Sequence, residues 1–307
     1  VTITELAGAD APAAGPVVLG QFVPGSPAWH AARRNGVGGS EIAAVMGLSP
    51  FESAFSLWHR KQGLVSPVEE NPQMYWGTKL EPAICAEFAL RHPDRAVVPS
   101  ATFAGRGRPW QIANPDRLIL DRIGYPVELV EAKTARDDEG WGKEGTDDIP
   151  VHYRAQCMWY LDVFGLTVCH VAVLIAGSEY REYAVTYNEP EALILREAGE
   201  AFARTVADNV RPNIDGHSAT YQAIRELPDG QDDYDVEIGP ALRDRFHAAQ
   251  DASWAAEDEL TECKSRLLDA IGTGKRANVD AVRVATRTVR NGRTYSLMPA
   301  RTRRTAR

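Results

Sequence analysis

The sequence predicts an α/β chain of the α+β kind, and three observations carry that prediction. Two strand-like segments, 117–121 and 127–133, flank a short Gly-containing turn, Arg122-Ile123-Gly124-Tyr125. A helical segment, 148–164, follows that pair and leads to two more strands, 170–175 and 183–187. A long helix over 240–271 then precedes a hairpin, 282–289 and 294–298, turned at Asn291-Gly292.

Each element has a local reason. Residues 1–20 contain Ala-Asp-Ala-Pro-Ala-Ala-Gly-Pro and are expected to form an extended lead-in. A short helix starts at Ser40, a good N-cap, and ends at Gly47. Ser53 to Gln62 reads as a second helix, stopped by Gly63, and Gly77-Thr78-Lys79-Leu80-Glu81-Pro82 opens a third that reaches Arg91. Asp148-Ile149-Pro150 starts the next helix with Pro near its first position, and Gly165 ends it after Phe164. A further helix runs from Pro190 to Val210 and stops at Pro212. The polar stretch 213–239 reads as a linker between a core at 21–212 and an appendage at 240–307.

Composition excludes several classes. With 44% hydrophobic and 25% charged residues the chain reads as an ordinary globular protein. No apolar run reaches the ~18 residues that span a bilayer, and no basic-then-apolar leader is seen, so the cytoplasm of the producing cell is expected. The four Cys residues lack paired C-x-x-C spacing, which argues against a zinc ribbon or a disulfide framework. Net charge is −8, but residues 271–307 hold ten Lys/Arg against one Asp, so an acidic body carries a basic tail. Its last seven residues are expected to be solvated and partly disordered.

The chemistry concentrates at Pro115-Asp116 and Glu131-Ala132-Lys133. Glu131 and Lys133 are two apart on a strand, so they share a face while Ala132 points away. A symmetric hairpin centred between Ile123 and Gly124 puts Asp116 opposite Glu131. Facing carboxylates repel unless something positive lies between them. A divalent cation and Lys133 both meet that need, which suits metal-assisted hydrolysis of a phosphodiester. Glu262-Cys263-Lys264 repeats the triplet in helical sequence and reads as a solvated face. Glu81, at an expected helix start, is a further ligand candidate or a first-turn Glu favoured by the helix dipole. Gln156 and Tyr153 share one face of the 148–164 helix, opposite a buried stripe of Cys157, Met158, Leu161 and Phe164. Gly36-Val37-Gly38-Gly39-Ser40, with Arg33 and Arg34 before it, has a phosphate-binding shape but lacks the Lys-Ser/Thr pair of a nucleotide loop. In the tail, Arg283 and Arg287 share a strand face and Arg290 and Arg293 flank the turn, a surface for DNA phosphates or a neighbouring subunit.

In order, Arg33, Gly38-Gly39-Ser40-Glu41-Ile42, Leu57-Trp58, Trp76-Gly77-Thr78-x-Leu80-Glu81-Pro82, Asn114-Pro115-Asp116, Glu131-Ala132-Lys133 and Tyr153-x-x-Gln156 resemble the YqaJ-type viral recombinase nucleases. These are relatives of phage lambda exonuclease in the Pro-Asp-(Asp/Glu)-x-Lys superfamily. The resemblance covers residues 25–190. It implies a restriction-endonuclease-like core, a mixed sheet flanked by helices, with Mg²⁺ (Mn²⁺ substituting) held by Asp116, Glu131 and the Ala132 carbonyl. It also implies that Glu81 assists at a second metal, that Lys133 and Gln156 position water, and that Arg33 and Ser40 hold a 5′-phosphate. The implied activity is 5′→3′ digestion of one strand of duplex DNA, by a toroidal trimer or other homo-oligomer working with a single-strand annealing protein. Two alternatives stay open: another endonuclease or repair nuclease of the superfamily, and a catalytically silent DNA-end-binding or protein-interaction module. The scattered Cys disfavour the iron–sulfur members.

Overall fold

A computed structural model describes residues 15–300 apart from 24, 35, 228, 229 and 231; most of the expected lead-in and the last seven residues lie outside these. The chain divides into two compact units, Val1–Gly230 and Gln231–Arg307.

In chain order the first unit contains β1 (Val17–Gly20), α1 (Pro27–Arg33), β2 (Val37–Gly38), α2 (Gly39–Val45), α3 (Ala54–Lys61) and α4 (Pro72–Arg91). There follow β3 (Ala96–Pro99), β4 (Thr102–Gly105), β5 (Arg108–Ala113), β6 (Arg117–Leu120) and β7 (Pro126–Ala135). The unit ends with α5 (Val151–Phe164), β8 (Val168–Ile175), β9 (Glu179–Thr186), α6 (Glu189–Ala207) and α7 (Ser218–Glu226). Its five-stranded sheet has the order β3-β6-β7-β8-β9 and its four-stranded sheet the order β1-β4-β5-β2. Both are mixed, because β7 runs parallel to β8 and β2 parallel to β5 while the other pairs are antiparallel. A parallel pair needs a long crossover, and α5 supplies it between β7 and β8.

The two faces of the five-stranded sheet are covered by different helices. Leu129 joins the large cluster built around α5, whose residues from Ala155 to Phe164 are all buried. Val130 and Ala172 instead join Ile84 and Phe88 of α4. Period-two alternation therefore sends Leu129, Glu131 and Lys133 toward α5 and Val130 and Ala132 toward α4.

Several boundaries differ from expectation. α4 begins at Pro72, capped by Asn71 accepting from Met74 N–H, and runs unbroken through Gly77 and Pro82. The expected lead-in 1–20 contains β1, which pairs with β4. The expected linker 213–239 contains α7, held to α3 by a buried hydrogen bond between Ser53 and Thr220 hydroxyls.

The second unit contains α8 (Pro240–Ile271), β10 (Arg276–Val279), β11 (Val282–Arg290) and β12 (Arg293–Pro299), the strands forming one antiparallel sheet. Asn291 and Gly292 both have positive φ, 51° and 74°, as a two-residue hairpin turn whose twist matches its strands requires.

Candidate active site

The site lies where β7 outlasts its neighbour. β6 pairs with β7 from Arg117↔Val130 onward, a register that, carried one step further, sets Asp116 opposite Glu131. Among the described residues, only β8 pairs with β7 from Glu131 to Ala135. Asp116 fills the place of the missing strand, its Oδ2 accepting from Ala132 N–H at 2.7 Å. In a strand the N–H and C=O of one residue point to the same edge, so the Ala132 carbonyl projects into the same gap. A cleft of about 230 Å³ opens there, lined by Gly77, Thr78, Glu81, Asp116, Glu131 and Lys133, among others.

Glu81, Asp116, Glu131, Ala132 and Lys133 of the predicted residues line this cleft, and Gln156 bonds two of them. Lys133 Nζ donates to Glu131 Oε1 at 2.6 Å and to Gln156 Oε1 at 3.1 Å. Gln156 Nε2 donates to Glu131 Oε1 at 2.6 Å and to the Tyr160 hydroxyl at 3.1 Å. The Lys133 ammonium also sits over the Tyr153 ring, 4.8 Å from its centre. Burial, reinforced by the Glu131 and Glu81 charges, pushes Asp116 well above the usual carboxylate range. Burial raises Glu131 too, against the pull of Lys133. Burial opposes the Lys133 charge, but Glu131 and Asp116 outweigh it and hold the ammonium above its ordinary range. One ammonium thus serves two carboxylates, Glu131 buried and Asp116 half-buried, leaving the cleft short of positive charge.

The residues fit a hard divalent cation. Glu131 Oε2 is buried with no hydrogen-bond partner among the described residues, and with Asp116 and the Ala132 carbonyl it makes an all-oxygen donor set. Glu81 is not part of a ready third ligand: its Oε1 pairs with Arg117 Nη1 at 3.0 Å. Among the described residues, no three His, Cys, Asp or Glu side chains converge on one metal position. Because α4 starts at Pro72, Glu81 lies in mid-helix, and the first-turn dipole reading does not apply to it.

The Gly-rich loop is built differently from the expectation of free amides. Gly38 N–H donates to Glu41 Oε2 at 2.7 Å, so a carboxylate of α2 itself caps that helix start. The glycines are there for packing: a Cβ on Gly38 would collide with the Arg33 guanidinium, and one on Gly39 with the Tyr160 ring. Arg33 is buried, lies 4.2 Å over Trp29, donates to Ser40 Oγ at 3.0 Å and approaches Glu41 at 3.7 Å. Its Nε is buried without a hydrogen-bond partner among the described residues. Tyr160 touches this loop and bonds Gln156, linking the two halves of the site. Tyr160 and Arg117 were not singled out from the sequence; Tyr160 falls four residues after Gln156 on the same helix face, the spacing that could have found it.

In the hairpin, Arg287 is occupied structurally. Its guanidinium donates to the Gly272 and Thr273 carbonyls at 2.7 and 2.8 Å, closing the end of α8. A register shift between Ala285 and Arg283 in the β10–β11 pairing breaks the alternation that would set Arg283 and Arg287 on one face, and Ala285 between them is buried. Arg290 opposes Arg293 across the turn and lies over Tyr295.

Residues 28–167 match the YqaJ-like viral recombinase domain. That span contains every predicted site residue from Arg33 to Gln156 and leaves the hairpin outside. The chain is 27% identical over 226 residues to protein YqaJ of Bacillus subtilis, covering 71% of this chain and 68% of that protein. It is 30% identical over 128 residues to protein D345L of African swine fever virus, spanning 41% of this chain but only 36% of D345L. A solved structure it resembles is an alkaline exonuclease, LHK-Exo of Laribacter hongkongensis. There the identity is 20% and the TM-score 0.47, over 60% of this chain and 94% of that one.

Proposed function

From a chain that carries a YqaJ-like viral recombinase domain over residues 28–167, we propose a metal-dependent 5′→3′ exonuclease of double-stranded DNA ends that leaves 3′ single-stranded tails. The observation that carries this reading is the hydrogen-bonded Asp116–Glu131–Lys133–Gln156 constellation at the open edge of β7. Asp116, Glu131 and the Ala132 carbonyl would hold Mg²⁺, with Mn²⁺ substituting, to supply charge neutralisation and a more acidic bound water. Lys133 keeps its proton and presents a fixed positive charge where the phosphodiester becomes more negative. Gln156, fixed between Glu131, Lys133 and Tyr160, orients water or phosphate without titrating.

The polarity rests on Arg33 and Ser40 receiving a terminal 5′-phosphate. The unused Arg33 Nε and the Ser40 hydroxyl beside it support that role; the amides at the start of α2 do not, since Glu41 already binds there. In the hairpin, Arg283, Arg290 and Arg293 are left for phosphate contacts or for a neighbouring subunit, and phosphate contacts would make affinity fall with salt. Homo-oligomerisation as a ring, a single-strand annealing partner and action in the cytoplasm of a bacterial host complete the reading. Among the described residues no helix is long and apolar enough to cross a membrane.

The test is digestion of linear duplex labelled at the 5′ or the 3′ end, with Mg²⁺ and then with EDTA. Release of 5′ label that EDTA abolishes is the expected result. Binding of DNA ends without any release would favour the catalytically silent module instead.

A further inference from the structure

The loop between α2 and α3 displays an aromatic ring that its own fold leaves uncovered. Phe51 is 74% exposed, yet the backbone that carries it is tied down at several points. Leu48 and Ser49 N–H both donate to the Ala43 carbonyl, at 2.8 and 3.0 Å. Ser49 Oγ accepts from Phe51 and Glu52 N–H, at 3.1 and 3.2 Å. The Ser49 carbonyl accepts from Nε2 of His217, the N-cap of α7, at 3.1 Å. A single exposed apolar side chain needs no explanation, but Phe51 is the first ring of a row. It packs perpendicular to His152, with ring centres 5.7 Å apart. His152 packs on Tyr153 at 4.1 Å, and Tyr153 lines the cleft with Lys133 Nζ over its ring. The row thus runs from solvent, along the first turn of α5, to the candidate active site.

The chemistry of the row specifies what can cover it. Burial, helped by the Lys133 charge, lowers His152 from 6.5 to about 4, so the imidazole is neutral at physiological pH. Phe51, His152 and Tyr153 therefore offer flat, uncharged rings and no cation of their own for a phosphate. The perpendicular packing on His152 leaves the Phe51 ring open to a flat partner. A nucleobase is such a partner, because every base has a π face that stacks on aromatic side chains whatever the sequence. Inside a duplex that face is covered by neighbouring bases, so it is available where a base is unpaired or terminal. Two ring steps, 5.7 and 4.1 Å, separate Phe51 from Tyr153. That is no more than about three nucleotides at roughly 3.4 Å each along a strand.

We propose that Phe51, backed by His152, is a stacking platform for an unpaired nucleobase beside the scissile phosphodiester. The proposal rests on the reading of the cleft as a site of DNA hydrolysis, and it adds what holds the strand there. A ring on a fixed loop keeps the end of that strand open and aligned with the cleft without reading its sequence.

The test is a binding cycle that needs no cleavage. Anisotropy of labelled linear duplex would be measured with the full-length protein in Ca²⁺ and in EDTA. Each of the three terminal nucleotides of either strand is replaced in turn by an abasic tetrahydrofuran. Wild type should lose about tenfold in affinity at one position, the usual strength of a base stacked on an aromatic ring. Phe51→Ala should bind intact duplex about tenfold more weakly and lose nothing further at that position, while Phe51→Trp keeps the wild-type pattern. A role in folding or in docking a protein would not produce a coupling confined to one nucleotide. Phe51→Ala binding as tightly as wild type, or equal abasic losses in both proteins at every position, would overturn the proposal. Wild type that binds no DNA end would overturn both it and the nuclease reading. Digestion of the same duplex in Mg²⁺ separates the two. Digestion without the coupling removes the platform and keeps the nuclease, and coupling without digestion does the reverse.

Discussion

The chain contains one three-residue pattern twice, and the two copies end in opposite states. Glu131-Ala132-Lys133 lies on β7, where residues two apart share a face, and Lys133 Nζ reaches Glu131 Oε1 at 2.6 Å. Glu262-Cys263-Lys264 lies on α8, where residues two apart diverge by about 200°. There Glu262 pairs with Arg266 one turn on, at 2.6 Å, with both side chains more than half exposed. Backbone geometry thus decides whether an acidic-x-Lys triplet becomes a site. Burial then amplifies the difference: in the cleft two carboxylates share one ammonium and keep an unpartnered oxygen, whereas on α8 water screens the pair.

The comparison is sharpest at the carboxylates. Asp116→Asn and Glu131→Gln keep shape and hydrogen bonds but remove the charges that would hold a cation. Mg²⁺-dependent digestion should fall by about 10³-fold or more. The melting temperature should hold or rise, because each change removes a carboxylate charge that burial and neighbouring acids disfavour. The matched Glu262→Gln should digest at the wild-type rate. Near-normal turnover in either cleft variant would break the assignment.

Next is Lys133→Met, which keeps the stem over Tyr153 and deletes the charge. Loss of one preorganised charge at the transition state is worth ~3 kcal/mol, a rate loss of about 10²-fold. Lys264→Met should leave single-turnover cleavage unchanged. Equal losses at Lys133 and Lys264 would mean that neither acts chemically.

How much of this was legible follows from the same geometry. The β6–β7 register could be read because the turn between them is short and local, and a ladder of alternating residues carries its consequence to Asp116. Glu81 was placed at a helix start because Gly77 and Pro82 look like helix boundaries, whereas packing of Ile84 and Phe88 against the sheet carries α4 through both. The Gly-rich loop looked like an anion cradle because glycine permits both free amides and close packing; the Arg33 and Tyr160 side chains that demand the packing come from distant positions. β1 to β5 went unread because they are two to six residues long and carry no clear alternation. α7 went unread because its polar sequence is held by a tertiary hydrogen bond, Thr220 to Ser53. Arg287 looked like a DNA contact because sequence shows its strand face but not the carbonyls at the end of α8.

Buried and exposed ion pairs also differ in how acid should break them. Burial opposes the Glu41 charge, but Lys61, Arg33 and the Gly38 N–H outweigh it and lower Glu41 from 4.5 to about 2. Burial lowers Lys61 in the same pair, yet it remains the cation throughout the acid range concerned. A depressed carboxylate stabilises the fold above its unfolded value and loses that contribution as pH falls through its folded one. Glu41→Gln should therefore cost ~3 kcal/mol at neutral pH. The gap to wild type should close between pH 4.5 and about 2. Chemical denaturation across that range measures it, and a gap constant with pH would show that Glu41 matters by packing alone.

A smaller effect is expected at the 5′ end. If Arg33 and Ser40 receive a terminal phosphate, 5′-phosphorylated duplex should be degraded faster than 5′-hydroxyl duplex. Arg33→Lys keeps the charge but loses the planar fork and the unused Nε. The preference should shrink by roughly tenfold while cleavage in the presence of Mg²⁺ persists. Equal rates on both ends in the wild type would reduce Arg33 to a structural partner of Glu41.

The smallest effect belongs to the second copy of the triplet. Glu262 precedes Arg266 by four residues, the favourable order for a helix, yet the exposed pair is worth at most ~0.5 kcal/mol. Glu262→Ala should shift the denaturation midpoint barely beyond error, and 0.5 M salt should erase even that difference. The comparison breaks if Glu262→Ala costs as much stability as Glu41→Gln. In that case α8 would hold Glu262 in a desolvated contact that the exposure of its pair with Arg266 does not predict.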